Sequence, residues 1–296
     1  MVKFSFLLIF ISTSLCFASD KTISVRDALN NRLSFDAPVT RIISLSPHIT
    51  ELLFLAGAGE KVIGTVEFSD YPDAAKKIPI IGNFNQFDLE KILALKPQLI
   101  VVWASGTPAR TVSKLQSLGF SLFFSEPRRI NQIFYETIQL AKLTDTLEEA
   151  KKNVKPYEEL YERLLAGYAN QKRIRVFYQL WDSPLKTVNK DHIIDEIIQL
   201  CGGENIFSDL SNLIPQLDKE VVINKNPFVI IRPDVKRNST SWQQSWKNFP
   251  FLDVVKRNHF YSIPWDLISR QTPRILFAAE ELCEYFQFVR QNANPH

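Results

Sequence analysis

Two stretches of the chain carry one pattern. Residues 86–101 read QFDLEKILALKPQLIV and residues 216–231 read QLDKEVVINKNPFVII. Gln86 and Gln216, Asp88 and Asp218, Glu90 and Glu220, and Pro97 and Pro227 coincide, with apolar positions matching around them. Each stretch reads as a short helix stopped by a proline and followed by a buried apolar run. A unit of that kind cannot bury its apolar face alone. Its duplication predicts two lobes built alike, with Glu90 and Glu220 at equivalent surface positions, one per lobe.

The surrounding sequence extends the pattern. Ile42 to Leu45 reads as a strand, Thr50-Glu51 opens a helix ending at Gly57 or Gly59, and Val62 to Val66 is the next strand. A turn-rich stretch, Phe68 to Pro72, follows. Leu89 to Leu95 is helical, Leu99 to Trp103 a buried strand, Thr111 to Leu118 a helix and Ser121 to Phe124 a strand. After Arg173 the alternation resumes with strands at Ile174 to Leu180, Phe228 to Ile231 and Phe260 to Ile263. Helices are expected at Ile193 to Cys201, Lys219 to Asn224 and Pro273 to Phe288. Such β-α-β alternation predicts parallel sheets covered on both faces. Between the halves, Thr146 to Tyr168 spaces Leu147, Ala150, Val154, Tyr157, Leu160 and Leu164 three and four apart, the stripe of a long helix. Pro156 inside it should kink it or mark a first turn. The fold expected is α/β, two α/β lobes (residues 19–143 and 172–296) joined by one long rigid helix over residues 144–171.

Composition narrows the function. The 296 residues are 45% hydrophobic, enough for a real core. Thirty-five basic against 32 acidic side chains is too balanced for a protein that grips phosphate backbones, so no nucleic acid partner is expected. Lys3, an uncharged run from Phe4 to Ala18 and Ser19-Asp20 form the pattern of a secretory signal, with cleavage expected after Ala18 and a periplasmic destination. No later stretch has 18 consecutive apolar residues, so no membrane span is expected in the mature chain. Loss of residues 1–18 removes Cys16 and leaves Cys201 and Cys283, either one disulfide, which an oxidising compartment favours, or two separately buried thiols. No GxSxG, Walker loop, GxGxxG or HExxH occurs, and the four histidines are spread thinly. Asp191-His192 with Asp195 and Glu196 reads as a helix start rather than a metal cluster. Trp242 and Trp246 read as core. No catalytic residue is assigned and the chain is not expected to be an enzyme.

The segments RIISLSPHITELLFLAGAGEKVIGTVEFSDYP, LEKILALKPQLIVVW, LCGGENIF and QTPRILFAAEELC resemble, from about Arg41 to Cys283, the helical-backbone (class III) solute-binding proteins of ABC importers. That family also includes haem and siderophore binders. SDYP, the LEKI helix, CGGENIF and PRI in order point to its cobalamin branch. The resemblance implies a ligand cleft between the lobes, a disulfide joining Cys201 to Cys283, and Glu90 and Glu220 as the acids that dock on a membrane permease. It also implies pocket positions. On the first lobe these are Pro47, His48, Phe68, Phe84, which stands where a tryptophan is usual, and Trp103. On the second they are Leu180, Trp181, Ile214, also in place of a tryptophan, Asp266 and Arg270, the last two as contacts for polar corrin side chains. His48 replaces a small residue; it is either an ordinary loop residue or a group reaching a metal at the centre of the ligand, since neutral imidazole suits cobalt and iron. No other metal ligand and no resident cofactor is implied.

The resulting expectation is a periplasmic, monomeric, non-catalytic binding protein that captures cobalamin or a related corrinoid and delivers it to an ABC importer permease. Haem or a ferric siderophore on the same scaffold is the alternative cargo. A periplasmic hydrolase or chelatase is the alternative from another class, weakened by the missing catalytic set.

Overall fold

The structure is a computed structural model and describes residues 22–83, 85–168, 170–234 and 241–292. The signal segment and Phe84 lie outside the described residues. The chain begins with a hairpin, β1 (Ile23–Arg26) and β2 (Arg32–Phe35), whose inward residues Val25 and Leu33 are buried. Asp27 shapes the turn by accepting from the Leu29 and Asn31 amides. The first lobe then runs β3 (Ile42–Ser44), α1 (Pro47–Leu55), β4 (Val62–Gly64), α2 (Leu89–Leu95), β5 (Leu99–Trp103), α3 (Ala109–Ser117) and β6 (Leu122–Ser125). Its four strands are all parallel, in the order β4-β3-β5-β6. Helix α1 starts three residues before the sequence suggested, because Pro47 is itself a good first-turn residue.

Two helices separate the lobes, α4 (Ile130–Thr144) and α5 (Leu147–Tyr168). The latter is the long connecting helix, and α4 was not anticipated as a separate element. Helix α5 runs unbroken through Pro156, which lies on its exposed face; there the Lys152 carbonyl left without a helical partner can turn to water.

The second lobe runs β7 (Ile174–Tyr178), a small hairpin of β8 (Trp181–Asp182) and β9 (Leu185–Lys186), α6 (Ile193–Leu200), β10 (Gly203–Asn205), α7 (Lys219–Lys225), β11 (Val229–Asp234), α8 (Gln244–Lys247), α9 (Asp253–Lys256), β12 (Phe260–Pro264), α10 (Trp265–Ile268) and α11 (Ile275–Asn292). Its sheet is again all parallel, in the order β10-β7-β11-β12. By position along each lobe, both sheets have the second strand outside the first, then the third and fourth. The repeat is thus a repeat of topology. Helices α2 and α7 start after Asp88 and Asp218, and both end on a residue in the left-handed region, Lys96 (φ 47°) and Asn226 (φ 43°). Glu90 and Glu220 are both exposed in the first turn of their helices.

One apolar core passes through both lobes. It takes Ile42, Leu52, Leu53 and Val101 from the first, Ala150, Leu160 and Leu164 from α5, and Val176, Ile197, Ile231, Ile275 and Leu282 from the second. Trp242 and Trp246 pack in a separate core of the second lobe, where the Trp246 indole N–H donates to Gln179 Oε1 at 2.7 Å. Cys201, at the end of α6, is joined to Cys283 of α11 by a disulfide. The bond spans 82 residues, and a closed loop of that size adds about 2–4 kcal/mol by restricting the unfolded chain. The Cys201→Ala/Cys283→Ala double variant is therefore expected to lose that much stability in urea unfolding, and reductant should shift the wild-type midpoint but not the variant's.

Candidate functional site

A cleft of about 480 Å³ lies between the lobes. Most of its walls come from segments that leave the carboxyl ends of parallel strands, where open α/β sheets present their ligand sites. On the first lobe, Ser46, Pro47 and His48 follow β3, Phe68 follows β4, Trp103 ends β5, and Glu126, Pro127 and Arg128 follow β6. On the second, Leu180 follows β7, Trp265 follows β12, and Ser269, Arg270 and Gln271 come after α10. His192, Ile193 and Ile194 at the start of α6, with Leu213 and Ile214, complete that wall.

Pro47, His48, Phe68, Trp103, Leu180, Ile214 and Arg270, all expected from the sequence, therefore meet in one cleft. Two expected residues lie elsewhere. Trp181 is on the β8 hairpin, half exposed, with its indole N–H donating to the Ser183 carbonyl. Asp266 does not line the cleft; its Oδ2 accepts from Arg274 Nη2 at 2.7 Å. The sequence reading did not single out Ile193, Ile194, Leu213 or Trp265, nor assign Glu126, Arg128 or His192 to a pocket. Their shared signal is position just beyond a strand or at a helix start rather than any motif.

The loops are held from beneath by polar groups. Thr50 Oγ1 lies 2.8 Å from Ser44 Oγ, 2.7 Å from Thr65 Oγ1 and 3.3 Å from Ser69 Oγ, so one buried hydroxyl cluster ties the start of α1 to the Phe68 loop. Under the loop after β6, buried Glu136 accepts from Ser125 Oγ at 2.5 Å and from the Glu126 amide at 3.1 Å. Glu126 in turn accepts from the amide and hydroxyl of Ser105 and pairs with Arg128 at 3.4 Å.

Across the back of the cleft the lobes join through charge. Glu51 of α1, 4% exposed, accepts from Arg270 Nη1 at 2.7 Å and from Arg274 Nη1 at 3.2 Å. Arg270 also donates to Asp70 Oδ1 at 2.8 Å and, through Nη2, to the Phe68 carbonyl at 2.9 Å. Burial raises the Glu51 carboxyl from its ordinary value, and the two guanidinium groups oppose that shift. Every charged side chain among the described residues lining the cleft is thus paired: Glu126 with Arg128, and Arg270 with Glu51 and Asp70.

The two histidines of the cleft are neutral. Burial, reinforced by Arg270, lowers His48 to about 3, and its Nδ1 lies 2.7 Å from Ser46 Oγ. Its ring meets Trp103 edge-on at 5.4 Å, and Nε2 is buried without a partner. Burial and Arg128 lower His192 to about 4; its Nδ1 accepts from the Ile194 amide, which leaves the ring proton on Nε2. Asp195 and Glu196 are spent on Asn205, Gln199, the Ile130 amide and Tyr161, and no group that could hold a metal ion occurs among the described residues. The cleft is therefore apolar and aromatic, with neutral hydrogen-bonding groups and no unpaired charge.

Burial raises Glu136 to about 7 against the pull of its hydrogen bonds. Because the folded value lies above the ordinary one, the stability it contributes is fully present below about pH 4.5 and is lost as pH rises through about 7, a difference on the order of 3 kcal/mol. Urea midpoints should therefore fall between pH 5 and pH 8 in the wild type, and that part of the fall should be absent in Glu136→Gln.

Known proteins place this architecture. The model of the periplasmic binding protein family matches residues 42–279. The vitamin B12-binding protein of Vibrio vulnificus is 38% identical over 256 residues, 86% of this chain and 93% of that protein. The vitamin B12-binding protein of Yersinia pestis is 35% identical over 244 residues, 82% of this chain and 85% of that one. The crystal structure of the periplasmic vitamin B12-binding protein BtuF of Vibrio cholerae superposes with a TM-score of 0.78 at 34% identity, covering 86% of this chain and 98% of the other. The haem-binding protein HutB of Vibrio cholerae, at 18% identity and a TM-score of 0.70, shares the fold. With a matching family model over most of its length and two like lobes around a cleft, the chain belongs to the periplasmic binding proteins, which hold a solute rather than convert it.

Proposed function

We propose that the chain captures cobalamin or a related corrinoid in the periplasm and hands it to the permease of an ABC importer, working as a monomer. In this reading residues 1–18 are the export signal, residues 19–143 and 172–296 the two lobes, and residues 144–171 the rigid link that limits their closure. The observation that carries the reading is the electrical neutrality of an aromatic cleft. A corrinoid is a large disc with an apolar ring and amide arms. Pro47, Phe68, Trp103, Leu180 and Ile214 supply flat apolar contact area for the disc. Neutral groups such as the His192 Nε2–H suit amide oxygens. Haem brings two carboxylates, and in this cleft Arg270 is closed on Glu51, Asp70 and the Phe68 carbonyl while Arg128 contacts Glu126, so the haem reading has less support. The relatives named for vitamin B12 agree with the corrinoid cargo. The cargo is carried and released, so no resident cofactor is involved.

Calorimetric titration with cyanocobalamin should give saturable one-to-one binding, with haemin at least tenfold weaker; absence of cyanocobalamin binding at tens of micromolar protein, or a preference for haemin, would overturn the cargo. Glu90 and Glu220 supply the permease contact in this reading, one acid from each lobe at equivalent places. Reversing both, Glu90→Lys with Glu220→Lys, is expected to abolish uptake in cells while leaving affinity for cyanocobalamin within twofold. Persistent uptake would remove them from docking.

A further inference from the structure

Arg270 stands where the cleft wall meets the contact that joins the lobes. Its acceptors all belong to the opposite lobe: Glu51 Oε1 at 2.7 Å, Asp70 Oδ1 at 2.8 Å and the Phe68 carbonyl at 2.9 Å. A guanidinium presents a rigid fork of donors, and here that fork is closed on protein acceptors. The Phe68 peptide it holds has φ 64°, in the left-handed region that a large L side chain rarely enters. Phe68 is 72% exposed and lines the cleft, so little packing of its own keeps it there. Arg274 completes the grip: its guanidinium lies over the Tyr71 ring, 4.0 Å from the centroid, and it shares Glu51. Two arginines of the second lobe therefore clasp the 68–71 loop of the first.

We propose that Arg270 is a positioning residue that governs cargo affinity and selectivity through Phe68. It holds the Phe68 carbonyl in the left-handed conformation, and so sets where the ring stands as a wall of the cleft, instead of anchoring the polar arms of the cargo. The shape of that wall then depends on both lobes at once, and cargo is selected by the fit of its disc against Phe68 rather than by charge at its rim. The choice of cargo for the test rests on the corrinoid reading above; the geometry does not.

The test has two arms. In the cargo-free protein, amide hydrogen exchange over residues 66–71 should quicken about tenfold in Arg270→Ala and in Arg270→Lys, with the β3 and β5 amides unchanged. Lysine keeps a charge beside Glu51 but has a single nitrogen and cannot reach the carbonyl at the same time, so it serves where the alanine variant folds poorly. With cyanocobalamin, either Arg270 variant should lower affinity about tenfold in the wild-type background and less than twofold in the Phe68→Ala background, the coupling expected of residues that act as a unit. Monocarboxylate derivatives of cyanocobalamin should bind wild type and variant with the same ratio to the parent. Unchanged exchange over residues 66–71, or an affinity loss that persists without the Phe68 ring, would overturn the proposal. If wild-type protein does not bind cyanocobalamin, the corrinoid reading fails, and the exchange arm still decides the role of Arg270.

Discussion

One buried carboxylate organises the space between the lobes. Glu51 sits on α1 of the first lobe with almost no access to water, and both of its arginine partners come from the second. A charge in that position is tolerable only while it is paired. Removing a partner from a buried ion pair typically costs about 3–5 kcal/mol, because the remaining charge is left uncompensated. The pair is therefore weak as a source of stability and strong as a specification of geometry: an arrangement of the lobes that separates Glu51 from Arg270 and Arg274 strands a buried charge. A second set of contacts joins the same parts of the molecule through other residues. Glu196 of α6 accepts from the Ile130 amide at the start of α4 and from Tyr161 of α5, and Arg129 donates to the Lys190 carbonyl. Together with α5 and a continuous apolar core that takes residues from both lobes, these contacts fix the relative placement of the lobes at several separate points.

The rest of the site follows from putting two like sheets into that frame. Each sheet has the same strand order, so each turns its strand carboxyl ends, and the loops that leave them, in the same sense. Facing the lobes across a common helix brings those loops together as opposite walls. Loops and the helix starts that follow them need not be regular, and here they carry the residues with unusual backbone or unusual ionisation: Phe68 at a positive φ, and His48 in the first turn of α1 and His192 at the cap of α6, both kept neutral by burial. Their supports stand on regular elements or directly beside them. Thr50 on α1, Thr65 just after β4 and Glu136 on α4 hold the loops through hydroxyl and carboxyl groups that are themselves buried.

The legible part of the fold was the part whose information is local. Helices α2 and α7 and the strands after them announce themselves because an aspartate, an apolar stripe and a proline fall within about a dozen residues of one another. Helix α4 is harder to see because its buried face carries Glu136, Thr137, Gln139 and Thr144, which break the apolar stripe. Strands β8, β9 and β10, of two or three residues, also lack the apolar run that marks the equally short β3 and β4. Within the site, Pro47, Phe68, Trp103, Leu180 and Ile214 were readable through the resemblance, whereas Ile193, Ile194, Leu213 and Trp265 were not, because no motif marks them. The partners of Arg270 were not, since Glu51 lies 219 residues away in the chain and Asp70 lies 200 away. An arginine beside a cleft looks the same in sequence whether it faces a ligand or a carboxylate of the other lobe.

That ambiguity bears on how a neutral cargo can be held selectively. A site that grips charge needs unpaired charge waiting in it, at a desolvation cost that any ion of the right sign can repay. This cleft has spent its charges on itself: Glu126 on Arg128 and Ser105, Arg270 on Glu51, Asp70 and Phe68. Discrimination is left to shape, and shape is only as selective as the wall is fixed. Fixing a wall made of loops calls for strong directional bonds underneath them, and charge-assisted bonds to buried acceptors are the strongest the chain has available. The same ion pairs thus remove charge from the surface the cargo meets and supply the stiffness that lets an uncharged surface discriminate.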